Sequence, residues 1–290
     1  MDVNSGFARQ LKKSRIGRPV GVFAYRVATR LRRNSTAPKL MVNTLAKAGT
    51  HLVMSTLDSL PQYRFSGRHH TLSVLDLEEP LLSKSVSSLH RDLRRSPRGT
   101  YMTGHIAYHE RVAELFESLK VKRVLVVRDP RALVVSTARY MRSYERHPLH
   151  ATVNRMFPSD EELCRAVILG FQQDGGNRNW PSFRDRLNSF AGWLDDSESL
   201  TIRFEDLVGA EGGGDSEAQL ATIAKLQEYL GIDLDSETRD RVAKSAFDTR
   251  AATFRSGEID GWKRALSSKT LDLLHSECAP AALRIGYSLD

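Results

Sequence analysis

The chain has 290 residues, with 43 Lys and Arg against 35 Asp and Glu, 40% hydrophobic residues, 10 Pro and two Cys, which fits one large domain or two small ones with a true core. Cys164 and Cys278 stand far apart and no Cys-x-x-Cys occurs, so the sequence offers neither a disulfide framework nor a Cys-based zinc site, and a reducing, cytoplasmic setting is expected. No apolar run reaches the ~20 residues of a bilayer span; the longest near the N-terminus, Pro19 to Tyr25, is interrupted by Gly21 and followed by Arg26, so neither a membrane span nor a cleavable secretion signal is expected.

The net charge of +8 is uneven, because residues 1–33 carry nine Lys and Arg and a single acid, Asp2, and the remainder of the chain is neutral. Phe23, Val27 and Leu31 recur every four residues, with Arg26, Arg30 and Arg33 on another face, the pattern of an amphipathic helix. Three roles suit it: packing on its own domain, peripheral membrane contact, or a partner protein. Asn34 to Pro38 then breaks the pattern. This divides the chain into a basic N-terminal segment, 1–35, and a main domain, 36–290.

In the main domain extended and helical stretches alternate. Lys39 to Asn43 reads as a short buried strand, Leu52 to Leu60 as a helix, Thr100 to Ile106 as extended and Arg111 to Lys120 as a helix. Lys122 to Arg128 is a β-branched run of the kind buried in parallel sheets, and Asp129-Pro130 starts the next helix. Helices around Glu161 to Phe171 and Pro181 to Asp195, a strand Ser199 to Phe204, and helices Glu217 to Leu230 and Ser236 to Lys244 follow. Residues 61–99 and 141–180 read as irregular apart from the Glu161 helix. The order predicts an α/β fold, three layers with a central, mainly parallel sheet flanked by helices.

The segment Thr44 to His51 joins the first strand to its helix. A turn of this kind presents free backbone N–H groups to an anion, and Ala48 and Gly49 allow close approach, while Lys47 adds a point charge and Thr50 a hydroxyl. The bland alternative is an ordinary strand-to-helix turn with a surface lysine. Gly-Lys occurs nowhere in the chain, which argues against a standard nucleoside-triphosphate loop.

Ala46-Lys47-Ala48-Gly49-Thr50 resembles the 5′-phosphosulfate loop of sulfotransferases, typically Pro-Lys-Ser-Gly-Thr. Arg128-Asp129-Pro130 with Ser136 eight positions on resembles that family's 3′-phosphate motif. Arg203-Phe204-Glu205-Asp206-Leu207 is similar to its strand-end sequence, with the acids expected to cap the next turn. Phe254-Arg255-Ser256-Gly257 followed by Trp262-Lys263 resembles the nucleotide-closing motif, Ser256 replacing the usual lysine. These matches span residues 39 to 263. The resemblance implies a P-loop-like domain, 3′-phosphoadenosine 5′-phosphosulfate (PAPS) as donor, adenosine 3′,5′-bisphosphate (PAP) as product, no metal, and no nucleic-acid partner.

By the same resemblance His105, in Thr103-Gly104-His105-Ile106, is the base that takes the acceptor's proton, and Lys47 stabilises the leaving phosphate. Lys47, Ala48, Gly49, Thr50, His51, Arg128, Ser136, Phe254, Arg255, Ser256 and Gly257 are the expected nucleotide contacts, with His51 either touching the 5′-phosphate or merely packing. Glu78 or Glu79 is the alternative base, since some sulfotransferases use a glutamate, and a His105–His109 zinc pair is conceivable but lacks a third ligand. The irregular stretches, with Arg64, Arg68, His69, His70, Tyr140, Tyr144 and Trp180, are expected to shape the acceptor cleft, for a hydroxyl on a glycan, glycolipid or small molecule. Two rivals stand beside this: a small-molecule or nucleotide kinase with a non-standard phosphate loop, and a non-catalytic anion-binding module.

Overall fold

The structure, a computed structural model, describes residues 35–172, 179–246 and 259–290. The basic segment 1–33 and the Phe254-Arg255-Ser256-Gly257 motif both lie outside these. Five parallel strands make the central sheet: β1 (Lys39–Thr44), β2 (Arg64–Leu72), β3 (Thr100–Ile106), β4 (Val121–Val127) and β7 (Ser199–Arg203), in the order β2-β3-β1-β4-β7. A two-stranded antiparallel ribbon pairs β5 (Phe171–Gln172) with β6 (Asn179–Trp180).

The strand period of two sorts side chains onto two cores. Met41, Leu125 and Val127 face one core, built with helices α2 (Leu81–Arg95), α3 (Glu110–Ser118), α4 (Pro130–Ser143), α6 (Asp160–Leu169), α7 (Phe183–Ala191) and α11 (Ser268–Arg284). Leu40, Val42, Val124 and Val126 face the other, with α1 (Thr50–Asp58), α8 (Phe204–Leu207), α9 (Ser216–Leu230) and α10 (Ser236–Ala246). The expected α/β layering is therefore present. The chain leaves β1 toward the second core and β4 toward the first, so a crevice opens between them at the strands' C-terminal ends, the switch point where such sheets bind ligands.

Two regions differ from the sequence reading. Residues 61–99 hold β2 and α2, and 141–180 hold α5 (His150–Met156) as well as α6. Strand β2 escapes a periodicity search because it is an edge strand with a register shift between Phe65 and His69 and a glycine at φ +78°, Gly67, inside it. A bulged, polar edge carries no clean alternation. Helix α2 buries only Leu82, Leu89 and Leu93, one narrow stripe in a Ser- and Arg-rich sequence.

Candidate active site

The turn after β1 is shaped by two residues in the left-handed region. Lys47 has φ +77° and Gly49 has φ +109°. A Cβ at Gly49 would stand 2.6 Å from Phe204 Cδ2, so only glycine fits there. Gly49 is the N-cap of α1 and offers no side-chain cap to it, which leaves the first-turn N–H groups open to an anion. Lys47 Nζ lies 4.1 Å from the centre of the Tyr140 ring. Ala48 is fully buried and its N–H donates to the Leu45 carbonyl at 2.9 Å; it packs the turn from behind rather than lining the crevice. His51 is exposed and sits on the rim.

Strand β4 delivers Arg128 to the same crevice. Its guanidinium stacks 3.9 Å from the Phe204 ring centre, and Nη1 donates to the Lys47 carbonyl at 3.4 Å. Burial lowers its pKa, opposed by the nearby Glu205 and Asp129. The Asp129 carboxylate caps α4 by accepting from Arg131 N–H at 2.8 Å and is gripped by the Arg131 guanidinium at 2.9 Å. Contrary to the expectation that the acids of this motif cap the next turn, Glu205 does not cap it. Its Oε1 accepts from Asp129 N–H at 2.9 Å and its Oε2 accepts from Tyr287 O–H at 2.6 Å, so it braces the β4–α4 junction from the neighbouring strand. Ser136, on α4, borders the same cavity as Arg128.

His105 enters from the end of β3. Asn43 locks the residue beyond it by exchanging two hydrogen bonds with Ile106, both 2.9 Å, and Trp193 Nε1 donates to the Ile106 carbonyl at 2.9 Å. The Nδ1 of His105 is 2.9 Å from the Thr44 carbonyl. A carbonyl only accepts, so Nδ1 carries the proton and Nε2 keeps its lone pair. Thr44 Oγ1 lies 3.0 Å from the same Nδ1 and 2.8 Å from Thr50 Oγ1, which ties the imidazole to the turn that holds Lys47. Burial pushes the His105 pKa down to about 4; the neighbouring His69, Arg186 and Lys47 act in the same direction, and the Thr44 hydrogen bond opposes them.

One cavity of about 840 Å³ joins these groups: Lys47, Gly49, Thr50, His51, His105, Arg128 and Ser136 all line it. Further lining comes from His69, Arg139, Tyr140, His147, Trp180, Arg186, Phe204 and Trp262. Among the described lining residues there are four Lys or Arg and no carboxylate, a surface suited to a polyanion. Trp262 is fixed by Arg131, whose guanidinium lies 4.3 Å from its ring centre, whereas Lys263 pairs with Asp260 at the surface.

Of the residues expected at the acceptor cleft, His69 and Trp180 reach the cavity and Tyr140 borders it beneath Lys47. His70 points to the other face of β2, 3.4 Å from Asp92. Glu79 is exposed and paired with Arg111 at 2.6 Å, and neither it nor Glu78 lines the cavity. His109 accepts from Arg111 N–H as the N-cap of α3. Among the described residues no group of three His, Cys, Asp or Glu is placed to hold a metal ion, and no helix is long and apolar enough to cross a membrane. Arg186 is not among the residues the sequence singles out, and Phe204 stands there only within a strand-end motif. A phenylalanine inside a strand-end motif gives no sign that it will floor an arginine, and a lone arginine on a helix reads as solvated.

A family model described as the sulfotransferase domain matches residues 37–280. Among solved structures, mouse sulfotransferase SULT7A1 complexed with PAP aligns with a TM-score of 0.58 at 17% identity, covering 87% of this chain and 89% of that one. The sulfotransferase domain of the Synechococcus PCC 7002 olefin synthase aligns with a TM-score of 0.40 at 14% identity, over 84% of this chain and 96% of that one. No curated protein matches the chain by sequence.

Proposed function

The chain belongs to the sulfotransferase domain family, and from that premise we propose that it moves a sulfuryl group from PAPS to a hydroxyl on a glycan, glycolipid or small molecule, with His105 as base and Lys47 as the stabiliser of the leaving phosphate. The observation that carries this reading is one cavity, with no carboxylate among its described lining residues, on which Lys47, Thr50, Arg128, Ser136 and His105 all open. The donor's phosphates need fixed cations and N–H groups, and that is the chemistry of this lining: an ammonium, a guanidinium, two hydroxyls and an uncapped helix N-terminus. PAPS, when bound, supplies the sulfuryl group.

The rest is done by the chain's own side chains. Thr50 and the first-turn N–H groups of α1 orient the 5′-phosphate, Lys47 offsets the charge that collects on it, and Arg128 with Ser136 holds the 3′-phosphate. His105 Nε2 takes the proton of the acceptor hydroxyl, while Nδ1–H stays on the Thr44 carbonyl and keeps the ring aligned. The low pKa leaves the imidazole neutral and ready to accept at pH 7. Phe254, Arg255, Ser256 and Gly257 would close over the nucleotide, and the basic segment 1–33 would bring the enzyme to an anionic membrane surface in a reducing, cytoplasmic compartment.

The test is nucleotide binding followed by turnover. PAP at a hundred times its Kd should raise the melting temperature by about 5–10 °C, without magnesium. Incubation with PAPS and a panel of hydroxyl compounds should give products heavier by one sulfuryl group. Absence of both would sink the reading.

A further inference from the structure

The donor contacts proposed above leave two cations of the cavity unexplained, Arg139, which is exposed, and Arg186. Arg186 sits in the first turn of α7, half-buried, with its guanidinium carbon 4.9 Å from the Trp180 ring centre and 5.6 Å from that of Phe183. Its Nη1 is sealed from solvent, yet no described residue accepts a hydrogen bond from the guanidinium or forms an ion pair with it. The neighbouring acid, Asp185, is engaged instead by Ser182, whose Oγ–H donates to it at 2.6 Å. Burial alone lowers the Arg186 pKa, to about 10, and no carboxylate acts against that. Beside it Trp180 Nε1 is a second buried donor with no hydrogen-bond partner among the described residues. Both residues line the cavity, and the charge of Arg186 is felt at His105.

A buried guanidinium without an anion is costly, since charges leave water only when paired. Its planar fork, stacked on aromatic faces, fits the two oxygens of a carboxylate or phosphate. Donor binding brings more negative charge toward His105, so an anionic acceptor would be repelled unless a cation stood on its own side of the ring. Resting on the sulfotransferase reading above, we infer that Arg186, with Trp180 Nε1, forms an oxyanion subsite, so that the acceptor is a hydroxyl compound already bearing a carboxylate or phosphate group. Arg186 then selects the acceptor and Lys47 and Arg128 hold the donor.

The test uses matched pairs: methyl β-glucuronide against methyl β-glucoside, glucose 6-phosphate against glucose, and 4-hydroxyphenylacetate against 4-hydroxyphenylacetamide. Binding to the PAP-saturated full-length protein is measured by calorimetry, for wild type and Arg186→Gln. At least one anionic member should bind about 10- to 100-fold more tightly than its neutral twin, as a charge-assisted hydrogen bond gives, and Arg186→Gln should erase that preference. The variant should keep the PAP-induced melting shift and melt, unliganded, at or above the wild-type temperature. Equal binding within every pair, a preference that survives in Arg186→Gln, or a large loss of unliganded stability would overturn the subsite. With PAPS, a fall in kcat common to anionic and neutral acceptors would assign Arg186 to the sulfuryl group and overturn it too. Loss of the PAP shift in wild type would instead strike the donor reading.

Discussion

At the ends of β1 and β4 the cations rest on aromatic faces, Lys47 on Tyr140 and Arg128 on Phe204, and for Arg128 Glu205 and Asp129 add compensating charge. On α7 the guanidinium of Arg186 also lies on an aromatic face, but no described carboxylate offsets its burial, and beyond it two histidines meet edge to face, His69 and His105, 4.7 Å between ring centres. Both have their pKa lowered, chiefly by burial. The first end holds Arg128 beside opposite charge, whereas the second sets a neutral imidazole near a guanidinium that no described carboxylate offsets. Such an arrangement is relieved only by a ligand that brings negative charge, and a fold keeps that cost where function requires it.

The contrast breaks first at the base. His105→Ala should lower turnover about 10²–10⁴-fold while leaving the PAP-induced melting shift in place, because the ring touches the donor turn only through Thr44. An unchanged rate would remove His105 from the chemistry. Lys47→Met should act at the other end, reducing kcat by about 10²–10³-fold and shrinking the PAP shift as well. If the PAP shift were intact in Lys47→Met and absent in His105→Ala, the two ends would have to exchange roles.

What was legible in the sequence follows the same division. The end proposed to hold the donor is built on turns at the C-terminal ends of buried strands, where local chain geometry selects the residue type: glycine at Gly49, a capping acid at Asp129, proline at Pro130. Those constraints act over a few neighbouring positions, so they can be read from a short string. The residues proposed to face the acceptor have no such local origin. His69 arrives on the bulged edge strand β2, Trp180 on a two-residue strand and Arg186 on α7, and only tertiary packing brings them together. Glu205 illustrates the limit within a motif: its position next to a helix start suggests a cap, yet its carboxylate reaches across to Asp129 N–H and Tyr287. Helix α2 was readable in principle, since Leu82, Val86, Leu89 and Leu93 follow a helical stripe, but serines and arginines between them mask it.

Gly49→Ala sharpens the contrast through the backbone. The added Cβ would meet Phe204 Cδ2 at 2.6 Å in a left-handed conformation, a strain on the order of 1–3 kcal/mol. Moving Phe204 also disturbs the ring under Arg128, so the melting temperature should fall and PAP should bind more weakly, each measured by thermal shift. The acceptor preference described for Arg186 should persist in whatever fraction remains folded. A variant as stable as wild type would mean that the turn relaxes and that its geometry is not held by Phe204.

The smallest effect expected is a slope with pH. His105 titrates near pH 4 in the folded protein, below the usual imidazole value of 6.5, so between those values the unfolded chain binds more protons than the folded one. Stability contributed by the neutral ring is complete above about pH 6.5 and lost as the pH falls toward 4. The unliganded protein should therefore lose melting temperature on acidification from pH 7 to 4.5, and His105→Asn should flatten that slope by on the order of 1–2 kcal/mol after allowance for partial exposure. His69, His70 and His147, lowered in the same direction, keep the remaining slope from vanishing. Saturating PAP should flatten the wild-type slope too, because phosphate charge near the ring draws its pKa back up. Identical slopes in wild type and His105→Asn would show that the ring is not held neutral by burial, and the base would then differ little in kind from the cations at the other end of the cavity.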